Sequence, residues 1–123
     1  MKPFTAAAVL VLTSATPLLA DEKLGLDFFE AKVRPVLVEH CLRCHGEKKQ
    51  KGNLRLDSKA GWEKGGDNGP ALVPGKSKQS LLIKMISPGT ENPPQMPPTN
   101  HLSPQIVADL AQWMNLRLEL RGV

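Results

Sequence analysis

The sequence predicts a small all-α domain with room for at most one short β-ribbon. Three observations support this: the chain has only 123 residues, apolar residues recur at helical spacing in separate stretches, and prolines and glycines divide the rest into loops. A chain of this length forms one domain and buries a modest fraction of its surface. We therefore expect a single helical core whose stability depends on an added group.

The first 20 residues have the pattern of a signal peptide. A positively charged start precedes an apolar stretch at Phe4–Leu12, and Ala20 offers a small residue for cleavage. Polar residues and a proline within 13–17 interrupt that stretch before it could span a bilayer. We predict a signal peptide at 1–20 and one exported, periplasmic or extracytoplasmic domain at 21–123. Membrane association is expected only if the N-terminal segment is retained.

The domain is predicted to begin with a helix from Leu26. Apolar residues and one histidine recur there at helical spacing: Phe29, Val33, Val36, Leu37 and His40. Pro35 removes a backbone donor, so the helix either kinks at Pro35 or restarts with it as the first residue. In both cases its last turn presents the residues that follow His40.

Two further helices are expected beyond the middle of the chain. Ser77 is the predicted N-cap of a short helix through Leu81–Ile86. The prolines between Thr90 and Asn100 exclude regular structure there. Ser103 as N-cap and Pro104 as first residue begin the last helix. Its apolar side is formed by Ile106, Val107, Leu110, Trp113, Met114 and Arg117.

The middle of the chain reads as loops with one short ribbon. Leu54–Asp57 alternates in the manner of a strand and is expected to pair with 71–73. The glycines between these segments predict turns: Gly61, Gly65, Gly66 and Gly69.

Both cysteines of the chain lie in Cys41-Leu42-Arg43-Cys44-His45. Cys-x-x-Cys-His is the attachment signature of c-type haem. Two thiols about one helical turn apart can each add to a vinyl group of one porphyrin, and the adjacent imidazole can bind the iron. The motif therefore predicts one haem c, attached through Cys41 and Cys44, with His45 as proximal ligand.

Other uses of the two cysteines are less well supported. A redox-active Cys-x-x-Cys normally accompanies a βαβ pattern, which this sequence lacks. A structural zinc site needs four ligands, and His40, His45 and His101 form no second paired motif.

With a formal net charge of +4 and only five aromatic residues, three Phe and two Trp, the chain also lacks the features of a nucleic-acid-binding protein.

The order of these features resembles a class I cytochrome c, and more closely the planctomycete-type cytochrome c domain. The matching stretches cover roughly residues 28–117: Val33-Arg34-Pro35-Val36-Leu37, Gly52-Asn53-Leu54-Arg55-Leu56-Asp57, Gly65-Gly66-Asp67-Asn68-Gly69-Pro70-Ala71-Leu72-Val73-Pro74-Gly75, Ser80-Leu81-Leu82-Ile83, Met96-Pro97-Pro98 and Leu102-Ser103. The resemblance implies a small class I cytochrome c fold.

The resemblance also implies roles for three residues outside the haem motif. Met96 matches the distal iron ligand, and the neighbouring prolines would stiffen its loop. The carbonyl of Pro70 would accept the other N–H of the proximal histidine, and Leu72 would pack on the haem. His101 is the alternative distal ligand.

Three other residues near the motifs are expected to have structural roles. Met85 and Met114 lie on apolar helical faces, where methionine usually fills core space. His40 is expected to be a packing or surface residue.

These features predict an electron carrier rather than an enzyme, because His45 and Met96 would fill both axial positions. The alternative is a haem-based sensor or a peroxidase-like subunit with an open or displaceable distal position. The expected partners are redox proteins. Lys48, Lys49 and Lys51 form either a solvated loop or a docking rim for an acidic partner.

Overall fold

The computed structural model describes residues 2–4, 6–12, 17–89 and 92–116, and these ranges form an all-α fold. Within them lie five α-helices: α1 (Pro17–Phe28), α2 (Arg34–His40), α3 (Lys59–Lys64), α4 (Leu81–Ile86) and α5 (Pro104–Asn115). A π-helical turn, Phe29–Val33, joins α1 to α2, and 3-10 turns occur at Lys51–Asn53 and Ser77–Gln79. The predicted fold class is confirmed.

The π turn explains how the first helix accommodates Pro35. The N–H of Arg34 donates to the carbonyl of Phe29, five residues earlier, and α2 then begins. Pro35 is the second residue of α2, and Val33 and Arg34 before it are themselves helical. The predicted restart with Pro35 as the first residue is therefore not observed, since the helical stretch continues through the π turn into α2. Helical structure begins at Pro17, before the predicted start at Leu26.

Three aromatic rings from separate parts of the chain meet in the core. The Trp113 ring of α5 lies 5.2 Å from the Trp62 ring of α3 and 5.4 Å from the Phe29 ring of the π turn, measured between centroids. All three side chains are buried. The indole N–H of Trp62 donates to the carbonyl of Leu56 at 2.6 Å. This cluster joins the N-terminal helix, the middle of the chain and the last helix.

The middle of the chain differs from the prediction. Lys59–Lys64 is helical, although Gly61 had predicted a turn there. The expected ribbon between 54–57 and 71–73 is not formed. Instead the N–H of Leu56 donates to the carbonyl of His45, and that of Ala71 to Trp62. The β contacts in the described residues are two isolated bridges, His45–Gln50 and Gly66–Gly69.

The start of α4 also differs from the prediction, because its N-cap residue is Ser80 rather than Ser77. Ser80 is completely buried. Its hydroxyl accepts the N–H of Val73 at 2.9 Å and donates to the carbonyl of Lys76 at 3.0 Å. These hydrogen bonds fix the loop before α4 to the N-cap residue of the helix.

The start of α5 is as predicted. The Ser103 hydroxyl accepts the N–H of Ile106 at 3.3 Å, and Pro104 is the first helical residue. Leu110, Trp113 and Met114 are buried along one side of the helix. Arg117 lies outside the described residues.

The predicted cleavage point after Ala20 falls inside α1, and the boundary stays a prediction. Across the described ranges, every helix is too short or too polar to cross a bilayer.

Candidate functional site

The haem motif forms a tight turn at the end of α2. The N–H groups of Cys44 and His45 both donate to the carbonyl of Cys41, at 3.2 and 3.0 Å. The turn is then tied to the following loop, because Lys51 donates to the carbonyl of Cys44 and Leu56 to that of His45, at 2.9 and 2.8 Å. These backbone hydrogen bonds place two thiols and one imidazole on a single rigid turn.

A cavity of about 200 Å³ lies beside this turn. Cys41, Cys44 and His45 line it, and so does Met96, 51 positions after His45 in the chain. Most of the remaining lining is apolar and comes from the loop after the motif and from α4: Leu54, Leu56, Ala71, Leu81, Leu82 and Ile86. The fold therefore brings four of the six predicted site residues to one apolar cavity.

These residues fit a covalently attached haem. The two thiols share one turn, the imidazole lies next to them in the sequence, and a thioether lines the same cavity. Haem c is attached through thioether bonds formed by two cysteine thiols, and imidazole and methionine sulfur are common ligands of its iron. The apolar walls suit a porphyrin ring, which must be shielded from water. Cys41 and Cys44 would attach the group, and His45 and Met96 would bind its iron.

Pro70 and Leu72 are not among the residues that line the cavity. Leu72 is buried in the hydrophobic core, and Pro70 is exposed between two lining residues, Gly69 and Ala71. The Nδ1 atom of His45 is buried without a hydrogen-bond partner. The hydrogen bond expected between His45 and the Pro70 carbonyl is therefore not formed in this structure.

The two thiols differ in their surroundings. Cys41 is buried and Cys44 is half-buried. Burial in the core raises the pKa of the Cys41 thiol to about 11, because the charged thiolate loses its hydration. At neutral pH Cys41 is therefore a neutral thiol, the less reactive form toward soluble electrophiles.

Met85 was missed as a residue of the site. It was expected to fill core space, as Met114 does in the structure, but it lines the cavity from α4. Its carbonyl accepts the N–H of Met96 at 2.9 Å. The helical spacing of Leu81 and Met85 was a usable signal, since both lie on one face of α4.

The two other histidines lie in different environments. His40 lines the cavity and is partly buried, with its Nε2 atom 3.8 Å from a carboxylate oxygen of Glu39. His101 is exposed and is not among the lining residues. The structure thus places Met96, and not its alternative His101, beside the cavity. Within the described ranges, no three His, Cys, Asp or Glu side chains form a metal-binding cluster of the kind a structural zinc site needs.

Comparison with protein families matches the haem motif and the loops that follow it. The model of the family described as Planctomycete cytochrome C matches residues 41–100, from the first cysteine through the loop that carries Met96. The predicted resemblance is confirmed, and it indicates a c-type cytochrome. No curated protein and no solved structure matches the chain.

Proposed function

Because residues 41–100 match the planctomycete cytochrome c family, we propose that this protein is an exported mono-haem c-type cytochrome that carries single electrons. The observation that carries the proposal is the shared cavity of Cys41, Cys44, His45 and Met96. The bound haem supplies the one-electron change of oxidation state. If His45 and Met96 both bound its iron, no position would remain open for a substrate.

The protein's own residues then have three tasks. The Cys41–His45 turn, whose backbone is fixed by hydrogen bonds, would hold the haem through its two cysteines and supply the His45 imidazole to the iron. The leucines that line the cavity exclude water. Met96 is a weak, polarisable ligand that favours a higher reduction potential than a second histidine would. These tasks describe a carrier rather than a catalyst.

The partner is proposed to be a redox protein with an acidic docking surface. Lys48, Lys49 and Lys51 are all exposed and lie three to six positions after His45. Lys51 also lines the cavity. Positive charge beside the haem would raise the rate of encounter with a negatively charged partner, and salt would reduce that rate.

The proposal is tested on protein produced in a host that matures c-type cytochromes. We expect one haem per chain, retained under denaturing conditions, and the absorption band of methionine–iron coordination in the ferric state. Met96→Ala should lose that band. Met114→Leu is the matched control, since Met114 lies in the core away from the cavity, and it should keep the band.

Three outcomes would contradict the proposal. A high-spin spectrum, or carbon monoxide binding to the reduced protein at neutral pH, would favour the sensor or peroxidase-like alternative. An unchanged band in Met96→Ala would remove Met96 from the iron. Absence of covalent haem would overturn the assignment as a c-type cytochrome.

A further inference from the structure

Two methionines line the cavity, and the proposed function uses only one of them. We propose that Met85 is a positioning residue that holds Met96 in the distal site and closes the distal wall against external ligands. This inference rests on the proposed function, because it requires Met96 to be an iron ligand. It assigns a role to a side chain that the sequence pattern alone would place in the core.

The backbone connects the two methionines directly. Met85 is the second-last residue of α4, and its carbonyl accepts the N–H of Met96 at 2.9 Å. Ten residues separate them in the chain, and two of these, 90 and 91, lie outside the described part. The hydrogen bond therefore fixes the backbone of Met96 against the end of α4, whatever the conformation of the loop that precedes Met96.

The Met85 side chain faces the same space as Met96. Leu81, one helical turn earlier, also lines the cavity, so this face of α4 forms part of the distal wall. Met85 is half-buried, whereas Met96 is 37% exposed. With so much of its surface in water, Met96 depends on its inner neighbours to remain in one position. A flexible thioether such as Met85 is well suited to fill that space.

Removing the Met85 side chain should therefore favour states in which Met96 has left the iron. An external ligand binds only to those states, so its apparent affinity rises in proportion to their population. We expect Met85→Ala to increase the apparent affinity of the ferric protein for imidazole about tenfold. Met85→Leu has nearly the same apolar volume and should remain within about twofold of the wild type.

The experiment is an imidazole titration of the ferric, haem-loaded protein. Imidazole binding is measured as the loss of the methionine–iron absorption band. Met114→Ala is the control for lost stability, because Met114 is 1% exposed and lies outside the cavity lining. It should unfold more easily yet bind imidazole like the wild type. Met85→Val shortens the side chain less and should give an intermediate affinity, which keeps the test available where Met85→Ala does not retain its fold.

Two results would overturn the inference while leaving the proposed function intact. One is a wild-type affinity in both Met85→Ala and Met85→Val. The other is an equal rise in Met114→Ala, which would trace the effect to general loosening of the core. If the ferric wild-type protein lacks the methionine–iron band before any imidazole is added, the proposed function is overturned and this inference with it.

Discussion

The hydrogen bond from Trp62 to Leu56 links the aromatic core to the haem turn, and its removal should be measurable. The Trp62 indole N–H donates to the Leu56 carbonyl, and the Leu56 N–H donates to the His45 carbonyl. Trp62→Phe removes the first donor and leaves a buried carbonyl without a partner, at a cost of about 1–3 kcal/mol. The smaller ring adds about 1–2 kcal/mol through lost packing.

Trp113→Phe is the matched control. It makes the same change of ring size in the same aromatic cluster, away from the Leu56 carbonyl. It should therefore lose only the packing contribution. We expect Trp62→Phe to lower the free energy of unfolding by about 1–3 kcal/mol more than Trp113→Phe, a large share of the stability of a small domain.

The assay is guanidinium chloride unfolding of the ferric, haem-loaded protein, monitored through its far-ultraviolet circular dichroism. The two variants should have equal denaturant slopes and different midpoints, because the surface exposed on unfolding is nearly the same. Equal midpoints would refute the reasoning, since the hydrogen bond to Leu56 would then contribute nothing beyond packing.

Three further predictions concern other parts of the chain. Ser80→Ala should lower the free energy of unfolding by about 1–3 kcal/mol, because it leaves the part-buried N–H of Val73 without its partner. An unchanged unfolding midpoint would contradict this. In haem-free protein that keeps its helical circular dichroism, iodoacetamide should modify Cys44 at least about tenfold faster than Cys41, because burial raises the pKa of Cys41 to about 11. Equal modification rates of the two cysteines, measured by mass spectrometry, would contradict this. The hydrogen bonds from the Arg55 side chain lower the pKa of Asp57 from its ordinary value of 3.8. They therefore stabilise the folded protein above pH 3.8, and this stabilisation is lost as the pH falls through the lower pKa of the folded state. Asp57→Asn should therefore cost about 0.2–1 kcal/mol at pH 7, and the difference should vanish in acid; a difference that persists there would not come from the ion pair.

Local features of the site could be predicted from the sequence. The residues of the haem motif are consecutive, so one helical turn is enough to bring their side chains together. The start of α5 depends on Ser103 and Pro104 alone, whose preferences for the N-cap and first positions act within one turn. Met96 was identified only through the family resemblance, because nothing in its immediate sequence determines what it faces.

Features that depend on packing could not be predicted. Gly61 was interpreted as a turn residue, but it lies within α3 where a side chain would collide with the backbone carbonyl of Arg55. Ser77 and Ser80 are equally good caps by composition and both are buried, but the Ser80 hydroxyl is the one that hydrogen-bonds to the loop before α4. Met85 looked like core filler because helical spacing shows which residues share a face, but not what that face meets.

The π turn at Phe29–Val33 sets a phase between the two parts of the N-terminal helix. Each residue of an α-helix advances about 100° around the axis, and a π turn contains one residue more than the regular helix would. Deleting a single residue from this turn would therefore return it to the regular helix and keep the attachment turn in phase with α1, while placing Pro35 inside a continuous α-helix. A deletion within α2 has no extra residue to absorb it and would rotate the attachment turn by about that angle relative to α1. A change of length before Cys41 is thus better accommodated at Phe29–Val33 than in the helices on either side of it.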